Sequence, residues 1–198
     1  QAEDGIRDML VTGVQTCALP ILEYHDTEWG VPLYDDSKLF EFLILETFQA
    51  GLSWITVLRK RENFRKAFDN FDYQKIAKYG DIKFNELLLD AGIIRNKLKI
   101  KATISNAIAF MEVQKEFGSF SKYIWGFTKG KPIKNKWKIM NEVPANTVLS
   151  DSVSKDLKKR GFKFVGSTVI YAYMQATGMV NDHAINCFRY DEINALKK

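Results

Sequence analysis

Two residues eight apart invite a chemical reading first. Glu46 sits in the run of residues 35–54, DDSKLFEFLILETFQAGLSW, whose members Leu39, Phe40, Phe42, Leu43, Ile44 and Leu45 are apolar almost all round. A helix of that profile is buried rather than laid on a surface, and a carboxylate inside it is costly unless something meets it. Glu46 therefore stands either at the helix rim, paired with an arginine, or inside a pocket as an acid that holds a polar or cationic ligand. In the second case Trp54, just past the helix exit at Ala50 and Gly51, is a stacking surface. Asp35, Asp36 and Ser37 are the N-cap candidates before the run. A second cluster, Tyr24, His25 and Trp29 in YHDTEWGVP, is rich in groups that bind rather than fill space. Near the other end His183 and Cys187 lie four apart in VNDHAINC. On one helical face they suit two corners of a tetrahedral zinc site, although a core helix without any cofactor can show the same pair.

The elements that must position these residues read as helices. Residues 55–68 carry Ile55, Leu58, Phe64, Ala67 and Phe68 near helical spacing with a basic outer face. Residues 73–80 and 83–90 read as short helices, the second with Phe84, Leu87 and Leu88 on one side. Residues 96–113 form an amphipathic helix through Leu98, Ile100, Ile104, Ala107, Ile108 and Met111. Between these last two lies Gly92-Ile93-Ile94-Arg95, a helix, tight turn, helix pattern. Such a turn offers backbone N–H groups and a helix N-terminus to a phosphate, and Arg95, Lys97, Lys99 and Lys101 crowd the same place. An ordinary αα corner would carry the same glycine. Residues 117–127 hold an aromatic helix, residues 129–141 a strongly basic loop, and residues 147–160 a helix capped by Ser150 or Asp151. Residues 168–179 form a nearly uncharged core helix. No strand ladder stands out, so the fold class is all-α.

Composition sets bounds. The 198 residues suffice for a sizeable core, and 46% hydrophobic with 27% charged residues exclude a disordered chain. No apolar run reaches membrane-span length. Two cysteines give no disulfide framework, so a reducing cytoplasmic location is the default; a monomer is expected. The net charge of +5 favours a polyanionic partner.

Residues 1–21, QAEDGIRDMLVTGVQTCALPI, show no helical or strand period that continues onward, nor a signal-peptide pattern. The segment resembles the translation of an index-carrying sequencing adapter, so residues 22–198 are read as the native domain. With its Glu3, Asp4, Arg7 and Asp8 set aside, a net −2, the remainder carries +7.

Four ordered blocks carry a family likeness: YHDTEWGVP, LETFQAGLSWITVLRKRENF, DAGIIRNKLKI, and KKRGFKFVGST with MQATGMVNDH. Together they resemble the 3-methyladenine DNA glycosylase I family of helix-hairpin-helix enzymes, over residues 22–187. The resemblance implies a two-lobed all-α fold acting on alkylated double-stranded DNA. It implies hydrolysis of the N-glycosidic bond of 3-methyladenine in base-excision repair, without lyase chemistry. Glu46 matches the family's pocket carboxylate, Trp54 its stacking aromatic and Tyr24 a pocket wall. Gly51 and Leu52 match the loop that plugs the vacated stack, and Gly92, Ile93, Ile94 and Arg95 match the DNA-binding hairpin. His25, His183 and Cys187 match three of four ligands of a structural zinc. The fourth, an upstream cysteine, has no counterpart: Cys17 lies too close to His25, and Ile21 stands where another pocket tyrosine is expected. Two rivals remain. One is a hairpin DNA-binding module that has lost excision with its N-terminal pocket wall. The other is a lyase of the endonuclease III group, using Lys97 or Lys99 as nucleophile, though one trusted cysteine, Cys187, excludes its iron–sulfur cluster.

Overall fold

A computed structural model describes residues 15–196, with side chains from residue 19 onward. The chain is built from helices α1 (Gln15–Thr27), α2 (Asp36–Gln49), α3 (Trp54–Ala67), α4 (Tyr73–Ile76), α5 (Asp81–Leu89), α6 (Lys97–Phe117), α7 (Phe120–Gly126), α8 (Val148–Lys159), α9 (Ser167–Ala176) and α10 (Phe188–Ala195). Two-residue strands β1 (Ile133–Lys134) and β2 (Val180–Asn181) pair in parallel, Ile133 opposite Val180 and Lys134 opposite Asn181. The fold is all-α in class.

Helix α2 is the shared spine. On one side it packs with α3 and α6, and α6 gathers α4 and α5; on the other it packs with α9, which pairs with α8. The two lobes therefore meet along one buried helix, and every residue from Leu39 to Gln49 is buried. Asp35 is the N-cap, accepting the Lys38 N–H at 2.9 Å. Asp36 does something different. Its carboxylate accepts the N–H groups of Phe120 (2.9 Å) and Ser121 (2.8 Å) at the start of α7, and the Gln114 amide of α6 at 2.6 Å. An acid at a helix N-terminus satisfies donors that have no partner inside the helix.

Several sequence expectations are corrected. The segment before residue 22 does pass on a helical period, because α1 runs unbroken from Gln15 to Thr27 and buries Ile21 one turn before Tyr24; residues 1–14 lie outside the described residues. The cap of α8 is Thr147, not Ser150 or Asp151. Thr147 and Ser150 form a reciprocal capping box, which starts the helix a turn earlier. The helix expected over residues 73–80 closes after Ile76, and on α6 Leu98 and Ile108 face outward. The chain from Val180 to Cys187 is not helical. Gly178 turns at φ +67°, β2 follows, and the Asn181 side chain takes the His183 N–H at 3.2 Å, so the backbone is captured locally.

Removal of the Asp36 carboxylate orphans the two α7 N–H groups. Asp36→Ala is expected to cost about 1–3 kcal/mol, read as a lowered denaturant midpoint at unchanged m-value.

Candidate active site

Phe42 and Glu46 occupy one face of α2, four residues apart. Tyr24 from α1 lies on that face: its ring centroid is 6.4 Å from Phe42 and 5.3 Å from Trp54, the first residue of α3. All four side chains are buried. The Tyr24 hydroxyl, the Trp54 indole N–H and both carboxylate oxygens of Glu46 are buried without a hydrogen-bond partner among the described residues. Buried polar atoms are nearly always paired, so these unpaired ones, contributed by three helices, make this the candidate ligand site. Burial pushes the Glu46 carboxyl up to about 8, and burial together with the Glu46 and Glu28 carboxylates raises the Tyr24 hydroxyl well above its ordinary value.

The buried arginine of α3 serves the other glutamate of α2. Arg61 donates through Nε to Glu41 at 2.8 Å and through Nη1 to both carboxylate oxygens of Glu28 at 2.8 Å, and Arg65 joins Glu41 at 2.7 Å. Its guanidinium lies 5.1 Å from the Phe42 ring. Glu41 escaped notice in the sequence, although it sits inside the same apolar run; two basic residues four apart on the next helix, Arg61 and Arg65, were the available signal.

Between α2 and α3 the chain turns through Gly51, at φ +82°. No atom lies near the position of a Cβ there, so the constraint is conformational rather than one of space. Leu52 follows, 42% exposed at the loop tip, its N–H bonded to the Gln49 carbonyl at 2.6 Å. The hairpin residues Gly92, Ile93, Ile94 and Arg95 join α5 to α6: Ile93 is buried and Arg95 exposed. The Gly92 N–H is held by Asp90 at 2.7 Å, and Asn96 caps α6 by accepting the N–H groups of Leu98 and Lys99. Arg95, Lys97 and Lys101 are exposed, as a phosphate surface requires, but Lys99 is not: it is buried, its Nζ bonded to the carbonyls of Phe48 (2.8 Å) and Ala50 (2.7 Å). Lys97 and Lys99 share the first turn of one helix, yet one faces solvent and the other is buried.

A second cluster joins the chain ends. One ligand atom each of His25, His183 and Cys187 fall within 4.8 Å of one another, with His25 Nε2 and Cys187 Sγ 3.7 Å apart. The His183 ring is oriented by Asn181 Oδ1, 3.0 Å from Nδ1, which leaves Nε2 buried and unpartnered among the described residues. Burial, His25 and Arg189 push its imidazole down to about 3, the neutral form that a metal binds. Trp29 packs edge-on against His183 at 4.5 Å, and a Cβ at Gly30 (φ +80°) would stand 2.7 Å from the His183 Cε1. These three donors suit zinc. The side chain of Cys17 lies outside the described residues.

The sequence pattern described as methyladenine glycosylase matches residues 16–190. The chain belongs to the methyladenine glycosylase family. As a member it is an enzyme that hydrolyses N-glycosyl bonds. It is 48% identical over 169 residues to DNA-3-methyladenine glycosylase 1 of Escherichia coli (strain K12), covering 85% of this chain and 90% of that protein. Identity to the Haemophilus influenzae DNA-3-methyladenine glycosylase is 47% over 166 residues, 84% and 90% of the two chains. Among solved structures, a crystal structure of 3-methyladenine DNA glycosylase I superposes with a TM-score of 0.83 at 48% identity, covering 85% of this chain and 93% of that one. A structure of the Staphylococcus aureus glycosylase, described as the structural basis of 3-methyladenine recognition, gives 0.84 at 34% identity over 85% and 90%.

The unpaired acid carries a prediction about stability. The folded-state pKa of Glu46 is raised above the ordinary carboxylate value of 4.5, so the folded protein keeps a proton that the unfolded chain releases. This contribution is complete below about pH 4.5 and is lost as pH rises toward 8, at up to ~1.4 kcal/mol per pH unit. Glu46→Gln removes the dependence. The thermal midpoint of the variant relative to the parent should therefore climb from pH 5 to pH 8 and level off above it; two parallel profiles would contradict the burial of the acid.

Proposed function

We propose that the chain is a monofunctional glycosylase that removes 3-methyladenine from alkylated double-stranded DNA. The observation that carries this reading is the buried Glu46 carboxyl, without a hydrogen-bond partner among the described residues, on the α2 face where the Tyr24 ring lies 5.3 Å from that of Trp54. The methylated base in DNA is cationic. A desolvated carboxylate supplies a charge-assisted hydrogen bond to it, and an aromatic face adds about 0.5–2 kcal/mol of cation–π attraction. Neutral adenine gains neither, and unpaired polar atoms disfavour it further. An acid that is protonated in the closed slot and ionised by a cationic guest selects by charge. The names of the E. coli and H. influenzae relatives and the 3-methyladenine complex of a homologous glycosylase support the substrate.

Extrusion of the base costs a few kcal/mol, least for a damaged pair. On this reading Leu52, exposed at a tip that Gly51 turns outward, occupies the gap in the stack as apolar wedges do. The hairpin of residues 92–95, with Arg95, Lys97 and Lys101, receives the phosphates. The positive lesion already weakens its glycosidic bond, so extrusion, pocket electrostatics and water placement suffice and no nucleophile is invoked. Commitment of the Lys99 ammonium to two carbonyls is adverse to a Schiff-base role. One observation favours the rival of a module without excision: Ile21, not a tyrosine, is the buried residue a turn before Tyr24. His25, His183 and Cys187 are proposed to hold a structural zinc that fastens α1 to the segment before α10. Among the described residues the set numbers three, so looser retention follows than for a complete tetrahedral site.

The deciding experiment is chromatography of free bases released from methylated duplex DNA. Release of 3-methyladenine with 7-methylguanine left in place is expected. Glu46→Gln and Trp54→Ala should each lower the rate about tenfold or more, equivalent to ~1.4 kcal/mol; full activity in both would refute the pocket. Borohydride should trap no protein–DNA adduct. Metal analysis should show zinc that mild chelation removes, with a fall in thermal midpoint, and Gly30→Ala should loosen it further by displacing His183.

A further inference from the structure

Residues 50–53 join the helix that bears Glu46 to the helix that Trp54 opens; the start of this loop is held from α6, and α3 beyond it holds the hairpin turn in return. From α6, the buried Nζ of Lys99 donates to the carbonyls of Phe48 and Ala50, the last acceptors of α2, across 51 and 49 residues of sequence. Lys99 itself stands in the first turn of α6, where Asn96 caps its N–H three residues after the cap begins. From α3, Lys60 Nζ donates back to the carbonyls of Ala91 (3.0 Å) and Gly92 (3.2 Å), and the Asn63 amide reaches the same Gly92 carbonyl at 3.4 Å. A Cβ at Gly92 would meet Asn63 at 3.3 Å and Asp90 at 2.9 Å, so α3 and the hairpin turn are in close contact.

An ammonium group in this position is not there for stability alone. A buried lysine loses solvation that backbone carbonyls only partly replace, and an apolar side chain of similar length would fill the space. What carbonyl bonds at the start of a loop supply is register. Gly51 turns the chain at φ +82° just after Ala50, so holding the Ala50 carbonyl fixes the point from which the Leu52 tip departs.

We infer that Lys99 is a positioning residue that fixes the Gly51–Leu52 tip relative to the hairpin, so that seating a phosphate on residues 92–95 sets the wedge against the base stack in the same movement. Lys60 is the reciprocal tie. The inference rests on the proposed reading of Leu52 as the plug. It explains why a lysine in a basic cluster beside the DNA surface is turned inward while its neighbours Lys97 and Lys101 are not.

The test compares the parent, Lys99→Met, Lys99→Arg and Lys60→Met. Three quantities are measured for each: 3-methyladenine release from methylated duplex, release from methylated single-stranded DNA, and affinity for free 3-methyladenine. Lys99→Met should lower kcat on duplex by about a hundredfold, the order expected for a displacement near 1 Å. KM should change little, since the phosphate contacts remain. Release from single strand should fall much less, because no duplex stack has to be opened and plugged, and free-base affinity should hold. Lys99→Arg retains donors and should recover part of the duplex rate, while Lys60→Met should lower it in the same selective manner. Unchanged duplex kcat in Lys99→Met overturns the inference. Equal losses on duplex and single strand together with free-base affinity overturn it too, because Lys99 would then merely support the pocket. A parent protein that releases no base from either DNA refutes the glycosylase reading itself, a result seen before any variant is compared.

Discussion

A helix buried on every side cannot turn its polar side chains to water, and α2 is buried from Leu39 to Gln49. The rest of the structure follows from how the two glutamates on it are treated. Glu41 receives two arginines from α3, and with Glu28 they make a satisfied ion cluster between α1, α2 and α3. Glu46, little more than one turn further on, has no hydrogen-bond partner among the described residues. The contrast is informative because the cost of desolvating each carboxylate is several kcal/mol. The fold pairs one such group and, among the described residues, leaves the other without a hydrogen bond. On the proposed reading Glu46, its pKa raised by burial, is the group that a cationic base ionises.

The same economy of position explains the loop that follows. The C-terminal carbonyls of α2 need donors, and Lys99 supplies them to Phe48 and Ala50 while the Leu52 N–H serves Gln49. The acid lies on α2, the exposed Leu52 tip between α2 and α3, and the hairpin just before α6, and buried hydrogen bonds from Lys99 join the start of α6 to the end of α2. Sites carried on packed helices are held more closely than sites carried on loops, and here the loop between α2 and α3 is held at its first residue.

How much of this was legible beforehand depends on whether partners lay close in sequence. The buried α2, its N-cap, the amphipathic α6 and the glycine turn before it follow from apolar periodicity and capping chemistry, which are local. The inward turn of Lys99 is not: its acceptors are 49 and 51 residues away, and in sequence it is one of four basic residues beside a turn. His183 and Cys187 at a spacing of four fit a helix, yet the chain there is held by Gly178 and by the Asn181 side chain. Asp182 accepts bonds from Tyr171, Gln175, Asn135 and Trp137 at 2.6–2.9 Å. Side chains that compete with the backbone ladder override spacing. The pair converges with His25 by tertiary placement, not by sharing a helical face. Continuation of α1 upstream of residue 22 was equally hidden, since Pro20 lies inside it and proline normally argues against a helix interior.

Tyr24 and His25 are successive residues of α1, and this adjacency links the two clusters. Side chains of neighbouring residues on a helix point about 100° apart, so one turn of α1 presents Tyr24 to Trp54 and Phe42 while presenting His25 to His183 and Cys187. Beyond the turn, Trp29 closes on His183, and the Gly30 N–H bonds to the Gln175 carbonyl of α9 at 3.2 Å. The C-terminal half of α1 is thus clamped between α2 with α3 on one side and the chain's C-terminal elements on the other. On the proposed reading, a metal at the second cluster acts on the base slot without approaching it, by fixing the helix whose next side chain is the wall. A shift of α1 that opened the metal cluster would move the Tyr24 ring by a comparable distance. The placement of the aromatic wall and the closure of the chain ends are therefore one constraint, expressed at two neighbouring residues.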